Sequence, residues 1–79
     1  MAESAIVAEV DVRPLPAPQK HPAIFTAYAS LNPGQSMLLI NDHEPRPLYY
    51  QFLIELPDQF EWEYLETGPE VWQVRIGKK

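Results

Sequence analysis

The chain has no cysteine, which removes thiol catalysis, persulfide carriage, iron–sulfur clusters, zinc ribbons and disulfide staples together. Basic residues are few, with six Lys and Arg against eleven Asp and Glu and a formal charge of −5. Nucleic-acid binding is driven by Lys and Arg releasing phosphate counterions, so this balance excludes nucleic acid as an expected partner. Long apolar runs are also missing. No stretch approaches the roughly 18 apolar residues of a membrane span, and no charged start leads into an apolar segment of signal-peptide type. No membrane partner is expected, and the location expected is cytoplasmic. A chain of 79 residues makes one domain, and at this size a core supplies only roughly 3 to 5 kcal/mol.

Nine prolines punctuate what is present. Residues 1–8 offer nothing to cap or pair and are expected to be a flexible segment. Glu9 to Arg13 alternates polar and apolar, the period of a half-buried strand with Val10 and Val12 inward. Pro14, Pro16 and Pro18 fix φ at alternate positions and remove donors, which predicts a stiff extended linker. Pro22 suits a first helical turn, and Ile24, Phe25, Tyr28 and Leu31 follow on one face until Asn32-Pro33-Gly34 ends the helix. Met37 to Ile40 is continuously apolar, as in an interior strand. Leu48, Tyr49, Phe52, Leu53 and Leu56 form the apolar face of a second helix between Pro47 and Pro57.

Phe60, Trp62 and Tyr64 alternate with Glu61 and Glu63, and beyond Thr67-Gly68-Pro69 the residues Trp72, Val74 and Ile76 alternate with Gln73 and Arg75. This predicts a hairpin. Symmetry about Gly68 would set Trp62 opposite Val74, Tyr64 opposite Trp72 and Glu61 opposite Arg75. The expected fold is α+β: a two-layer α/β sandwich of order βαβαββ, with a mixed four-stranded sheet and two helices on one face. The single domain spans residues 9–76, followed by a tail over 77–79. Alternate members of the Met37–Ile40 run must lie on the open sheet face, near Leu65 and Val71. Such a patch would suit a protein partner or self-association.

Residues 11–18 (DVRPLPAP), a helix, and then residues 33–42 (PGQSMLLIND) resemble the TusA/SirA-like sulfur-carrier pattern over most of the chain. The resemblance implies that family's fold. Its signature places a Gly-Leu and a Cys-Pro at the first helix, whereas here Pro14 replaces the glycine and no cysteine exists, so sulfur transfer is not carried over. Through DHEPRPLYYQF (42–52), FEWEYLE (60–66) and VWQVRI (71–76) the chain is more similar to a cysteine-less domain-of-unknown-function family of that superfamily (DUF2249-like). Its members occur alone or joined to hemerythrin-like and other redox or metal-associated domains. What the resemblance implies is an uncharacterised binding or protein-interaction module accessory to a redox or metal-handling system.

Where two parallel strands end and two helices begin, one edge would gather Asp11, Arg13, His21, Asp42, His43 and Arg46, with Tyr50 beside the turn. Helix amino ends and two arginines there suit a small anionic ligand. His21 and His43, with one or two of Asp11, Asp42 and Glu44, suit a metal such as zinc or iron, although the spacing is not diagnostic. Acid–base chemistry using Asp11, His43 and Arg46 would need a pocket. The structural alternative has Asp42 capping the turn, His43 bonding backbone, and Arg46 paired with Asp11 or Asp42. No cofactor is implied. Of the aromatic residues, Tyr49, Phe52, Phe60, Trp62, Tyr64 and Trp72 read as core, and Tyr50 falls off the main stripe.

Overall fold

A computed structural model describes residues 5–79. The elements run β1 (Ala5–Asp11), α1 (Ala17–Ala29), β2 (Gln35–Asn41), α2 (Arg46–Glu55), β3 (Phe60–Thr67) and β4 (Trp72–Lys78). The strands lie in the order β1-β2-β4-β3. β1 is parallel to β2, and β4 is antiparallel to both β2 and β3. This is the expected α+β arrangement, a mixed four-stranded sheet with two helices. Ile24, Tyr28, Leu48 and Phe52 from the helices join Met37, Leu39, Val74 and Ile76 from the sheet in one core, so both helices cover the same face.

The boundaries depart from expectation in three places. β1 begins at Ala5, so residues 5–8 are strand rather than part of a flexible segment, while residues 1–4 lie outside the described residues. Gly77 and Lys78, expected in a tail, are paired in β4. The first helix starts at Ala17, and its second residue is Pro18, with Pro22 inside. The first four N–H groups of a helix have no internal acceptor, so proline at the second position loses nothing. Pro22 forfeits only the bond to the Pro18 carbonyl. Of the expected stiff linker only residues 14–16 stay outside the helix, and His21 sits within α1.

Phe52 is completely buried. Its ring stacks on Phe25 at 4.5 Å between centroids and meets Tyr28, Phe60 and Trp62 edge-on at 5.4, 5.1 and 5.8 Å. Tyr28 donates from its hydroxyl to the Gln59 carbonyl at 2.7 Å, and burial raises its pKa. Leu53, expected on the buried stripe, is 43% exposed, because Leu48 and Phe52 define the line of contact with the sheet.

The hairpin register is shifted by two from the symmetric pairing. Trp62 faces Ile76, Tyr64 faces Val74, Glu63 faces Arg75 and Glu61 faces Gly77. The turn closes on the pair Thr67–Trp72, three positions from symmetry about Gly68, and an extra residue on β3, Leu65, between the pairs Tyr64–Val74 and Glu66–Gln73, takes one of the three back. A bulge puts two residues against one and displaces everything beyond it. β1 carries a similar irregularity at Val7, between Ile6 and Ala8.

The open face of the sheet is less apolar than expected. Arg75 lies across it, donating from Nε to Glu63 at 2.8 Å, from Nη2 to Glu61 at 3.2 Å and from Nη1 to Ser36 Oγ at 2.7 Å. Glu63 foremost, and then Glu61, raise the Arg75 pKa. Gly77 makes room for this: a Cβ there would lie 2.8 Å from Arg75 Nη1 and 3.0 Å from Ser36 Oγ. Of the β2 residues on this face, Ile40 is buried and Leu38 half-buried. Leu65 is two strands away on the far edge, so no continuous patch joins it to β2.

Candidate functional site

The residues expected around one concavity are divided among three places. At the end of β1, Arg13 grips Asp11 with two side-chain bonds, Nε to Oδ1 at 2.9 Å and Nη2 to Oδ2 at 2.7 Å, and its backbone N–H adds a third at 3.1 Å. Two residues apart after an extended strand, the side chains point the same way and meet without a tertiary constraint. Arg13 thereby holds the Asp11 carboxyl below its ordinary value of 3.8, and its own pKa is raised in return.

Beyond β2, His43 Nδ1 lies 2.7 Å from Asp42 Oδ1. An ionised carboxylate only accepts, so Nδ1 carries the proton. This bond comes first in holding the Asp42 carboxyl below 3.8, and Lys20 adds to it from α1. His21 is close by. Its Nδ1 donates to Gln51 Oε1 at 2.8 Å, and Gln51 Nε2 donates to Glu55 Oε2 at 2.8 Å, which orients the amide. His21, His43, Lys20 and Asn41 line a hollow of about 50 Å³ walled by Val12, Ile24, Leu48 and two prolines. A water occupies about 30 Å³ in the liquid, so the hollow has room for one or two waters and not for an organic substrate.

The structure gives the residues named for metal and acid–base chemistry other partners. Among the described residues no group of three or more His, Cys, Asp or Glu is placed to hold a metal ion. His21 and His43 do meet, but Asp11 is taken by Arg13 and Glu44 by Arg46. Of Asp11, His43 and Arg46, His43 lines the small hollow and Arg46 a separate groove, while Asp11 stays with Arg13. Each of the three arginines holds a carboxylate.

The third place was not foreseen as a unit. Arg46, Tyr49, Trp62 and Tyr64 line a groove of about 320 Å³ between the start of α2 and the edge strand β3. Arg46 and Tyr49 are three apart and share a helix face, while Trp62 and Tyr64 are alternate residues on the helix-covered side of β3. The rings are steeply inclined and form walls: Tyr49 meets Trp62 at 5.1 Å and 61°, and Trp62 meets Tyr64 at 6.3 Å and 78°. At the rim, Glu44 Oε2 accepts from Arg46 Nη2 and from the Tyr64 hydroxyl at 3.3 Å. Tyr50 and then Glu44 raise the Arg46 pKa. Trp62 Nε1 is buried with no hydrogen-bond partner, a donor whose desolvation is not offset. Tyr50, which did read as exceptional, is half exposed beside Arg46.

The depressed carboxyls make a prediction about acid stability. A carboxyl that titrates lower in the folded chain favours folding above its unfolded value, and that contribution is lost as pH falls. The Asp11 and Asp42 contributions are therefore complete above 3.8 and decline below it. Replacing both by Asn is expected to flatten the fall in denaturation midpoint between about pH 4 and pH 2. An acid limb as steep as that of the parent would remove both contacts from the balance.

Taken together, fold and surface define a small α+β domain with an aromatic groove at one sheet edge and no described helix long and apolar enough to cross a membrane. The chain belongs to a family of uncharacterized conserved proteins, DUF2249, whose model matches residues 9–78. No curated protein and no solved structure matches it.

Proposed function

We propose that the chain is a non-enzymatic binding module whose ligand occupies the groove between α2 and β3. The observation that carries this is the groove itself, a hollow of about 320 Å³ with aromatic walls and an ion pair at its rim. Apolar concavities with a few convergent polar groups are where small molecules bind. Against catalysis stands the exposure of the Asp42–His43 pair, whose side chains are 51% and 61% exposed beside a hollow too small for a substrate. The strand and helix order is compatible with a TusA/SirA-like superfold, and the similarity of residues 42–52 and 60–76 to domains found beside hemerythrin-like partners supports an accessory role in a redox or metal-handling system.

An amide and indole NMR titration with adenine, indole and benzoate tests the reading. At least one probe is expected to give saturable shifts confined to residues 44–50 and 60–66 and to the Trp62 indole. Tyr64→Ala should abolish them and His43→Ala should not. Absence of any saturable shift, or shifts centred on His21 and His43, would overturn it.

A further inference from the structure

The chemistry of the groove narrows what it takes. Its walls are three aromatic rings at steep mutual angles, so a flat molecule entering it finds a ring face or edge on each side. Its rim holds a carboxylate and a guanidinium in direct contact, with the Tyr64 hydroxyl donating to the same carboxylate oxygen. Glu44 uses Oε2 for both contacts, which leaves Oε1 to accept. A guanidinium has five N–H donors, of which Glu44 engages Nη2 and the Tyr50 side chain takes a further bond, so donors remain. The rim therefore offers an acceptor beside donors, with no net charge.

Resting on the reading of this groove as the binding site, we infer that it takes a neutral planar heteroaromatic molecule carrying a hydrogen-bond donor beside an acceptor. The ring packs against Tyr49, Trp62 and Tyr64, and its polar edge meets Glu44 and Arg46. An anion is disfavoured by Glu44 and a cation by Arg46, since each would press a like charge into a half-closed site. A neutral edge engages both without breaking the pair. Stacking on aromatic side chains contributes irrespective of ring identity, so the rim supplies the selectivity. The adenine edge, with the N6 amino donor next to the N7 acceptor, is one such pattern. Phosphates would add nothing on a chain with a formal charge of −5, so the free base or an equivalent ring is favoured over a nucleotide.

The test compares adenine with indole, benzoate and phenyltrimethylammonium on the full chain, followed through the Trp62 indole and β3 amides. Adenine is expected to bind at least about tenfold more tightly than either charged ring and than indole, which has a donor but no acceptor. Glu44→Gln removes the negative charge and is expected to weaken adenine by about tenfold while strengthening benzoate. The Arg46 side chain is 60% exposed and that of Glu44 32%, and circular dichroism verifies that the variants fold. Benzoate or phenyltrimethylammonium binding as tightly as adenine in the groove would overturn the inference and leave the binding-module reading standing. So would adenine binding indifferent to both Glu44→Gln and Arg46→Ala. If none of the four probes binds, the two fall together.

Discussion

Phe52→Ala is expected to leave the domain largely unfolded in buffer without denaturant. Removing a buried phenylalanine costs about 3 to 5 kcal/mol, and a core of this size supplies roughly the same amount. Phe52 is the ring on which α1, α2 and β3 converge, through Phe25, Tyr28, Phe60 and Trp62. Its loss opens a cavity that no neighbour can close alone. The companion substitution Leu53→Ala, one residue on and 43% exposed, should stay within about 0.5 kcal/mol of the parent. Far-ultraviolet circular dichroism and a urea titration of both variants decide the matter. A Phe52→Ala chain with the parent's midpoint would mean that the core is held by something other than this ring cluster.

Gly68→Ala should be the costlier of two glycine substitutions that look equivalent in the backbone. Gly34 and Gly68 have φ of 89° and 76°, where any side chain costs about 1 to 2 kcal/mol. Around Gly34 a Cβ meets nothing within 4 Å, whereas at Gly68 it lies 2.8 Å from Trp72 Nε1 and 2.9 Å from Cε2 and Cζ2. The rigid indole cannot yield as a lysine tip would, and it packs against Tyr64 at 6.2 Å. Moving it adds roughly 1 to 3 kcal/mol. Gly34→Ala is thus expected to lower the urea midpoint modestly, and Gly68→Ala to lower it two- to threefold more and shift the Trp72 indole resonance. Equal midpoints would show that the indole swings aside without cost.

What could be read from the sequence follows the range of each physical signal. Alternation over Phe60–Tyr64 and Trp72–Ile76 is local, and both strands and both faces are where that pattern puts them. The Asn32-Pro33-Gly34 stop is equally local. The hairpin register was beyond reach because Thr67-Gly68-Pro69 does not say which pair closes the turn, here Thr67–Trp72, and one unpaired residue at Leu65 leaves no mark on the alternation before it. The start of α1 was misjudged because a proline near a helix end fits a linker and a first turn alike, and only the sheet below decides. The site was legible in its parts and not in its grouping. Asp11, Asp42 and His43 were marked as unusual, but each satisfies itself with a neighbour one or two residues away. Tyr49, Trp62 and Tyr64 were assigned to the core by spacing. Burial at the end of an edge strand depends on how far the covering helix reaches, and α2 has ten residues, about 15 Å. Arg46 three residues before Tyr49 was the available clue that this end stays open.

The irregularities at Val7 and Leu65 have a bearing on how the domain behaves in a crowded solution. β1 and β3 are the two outer strands, and each would otherwise present a straight row of unpaired peptide groups, with Val7 and Leu65 about half exposed. A strand that swells by one residue no longer matches the repeat of a second copy laid alongside it. Both borders of the sheet are in this way made poorer templates, and molecules that collide side by side meet an interrupted ribbon rather than a straight one.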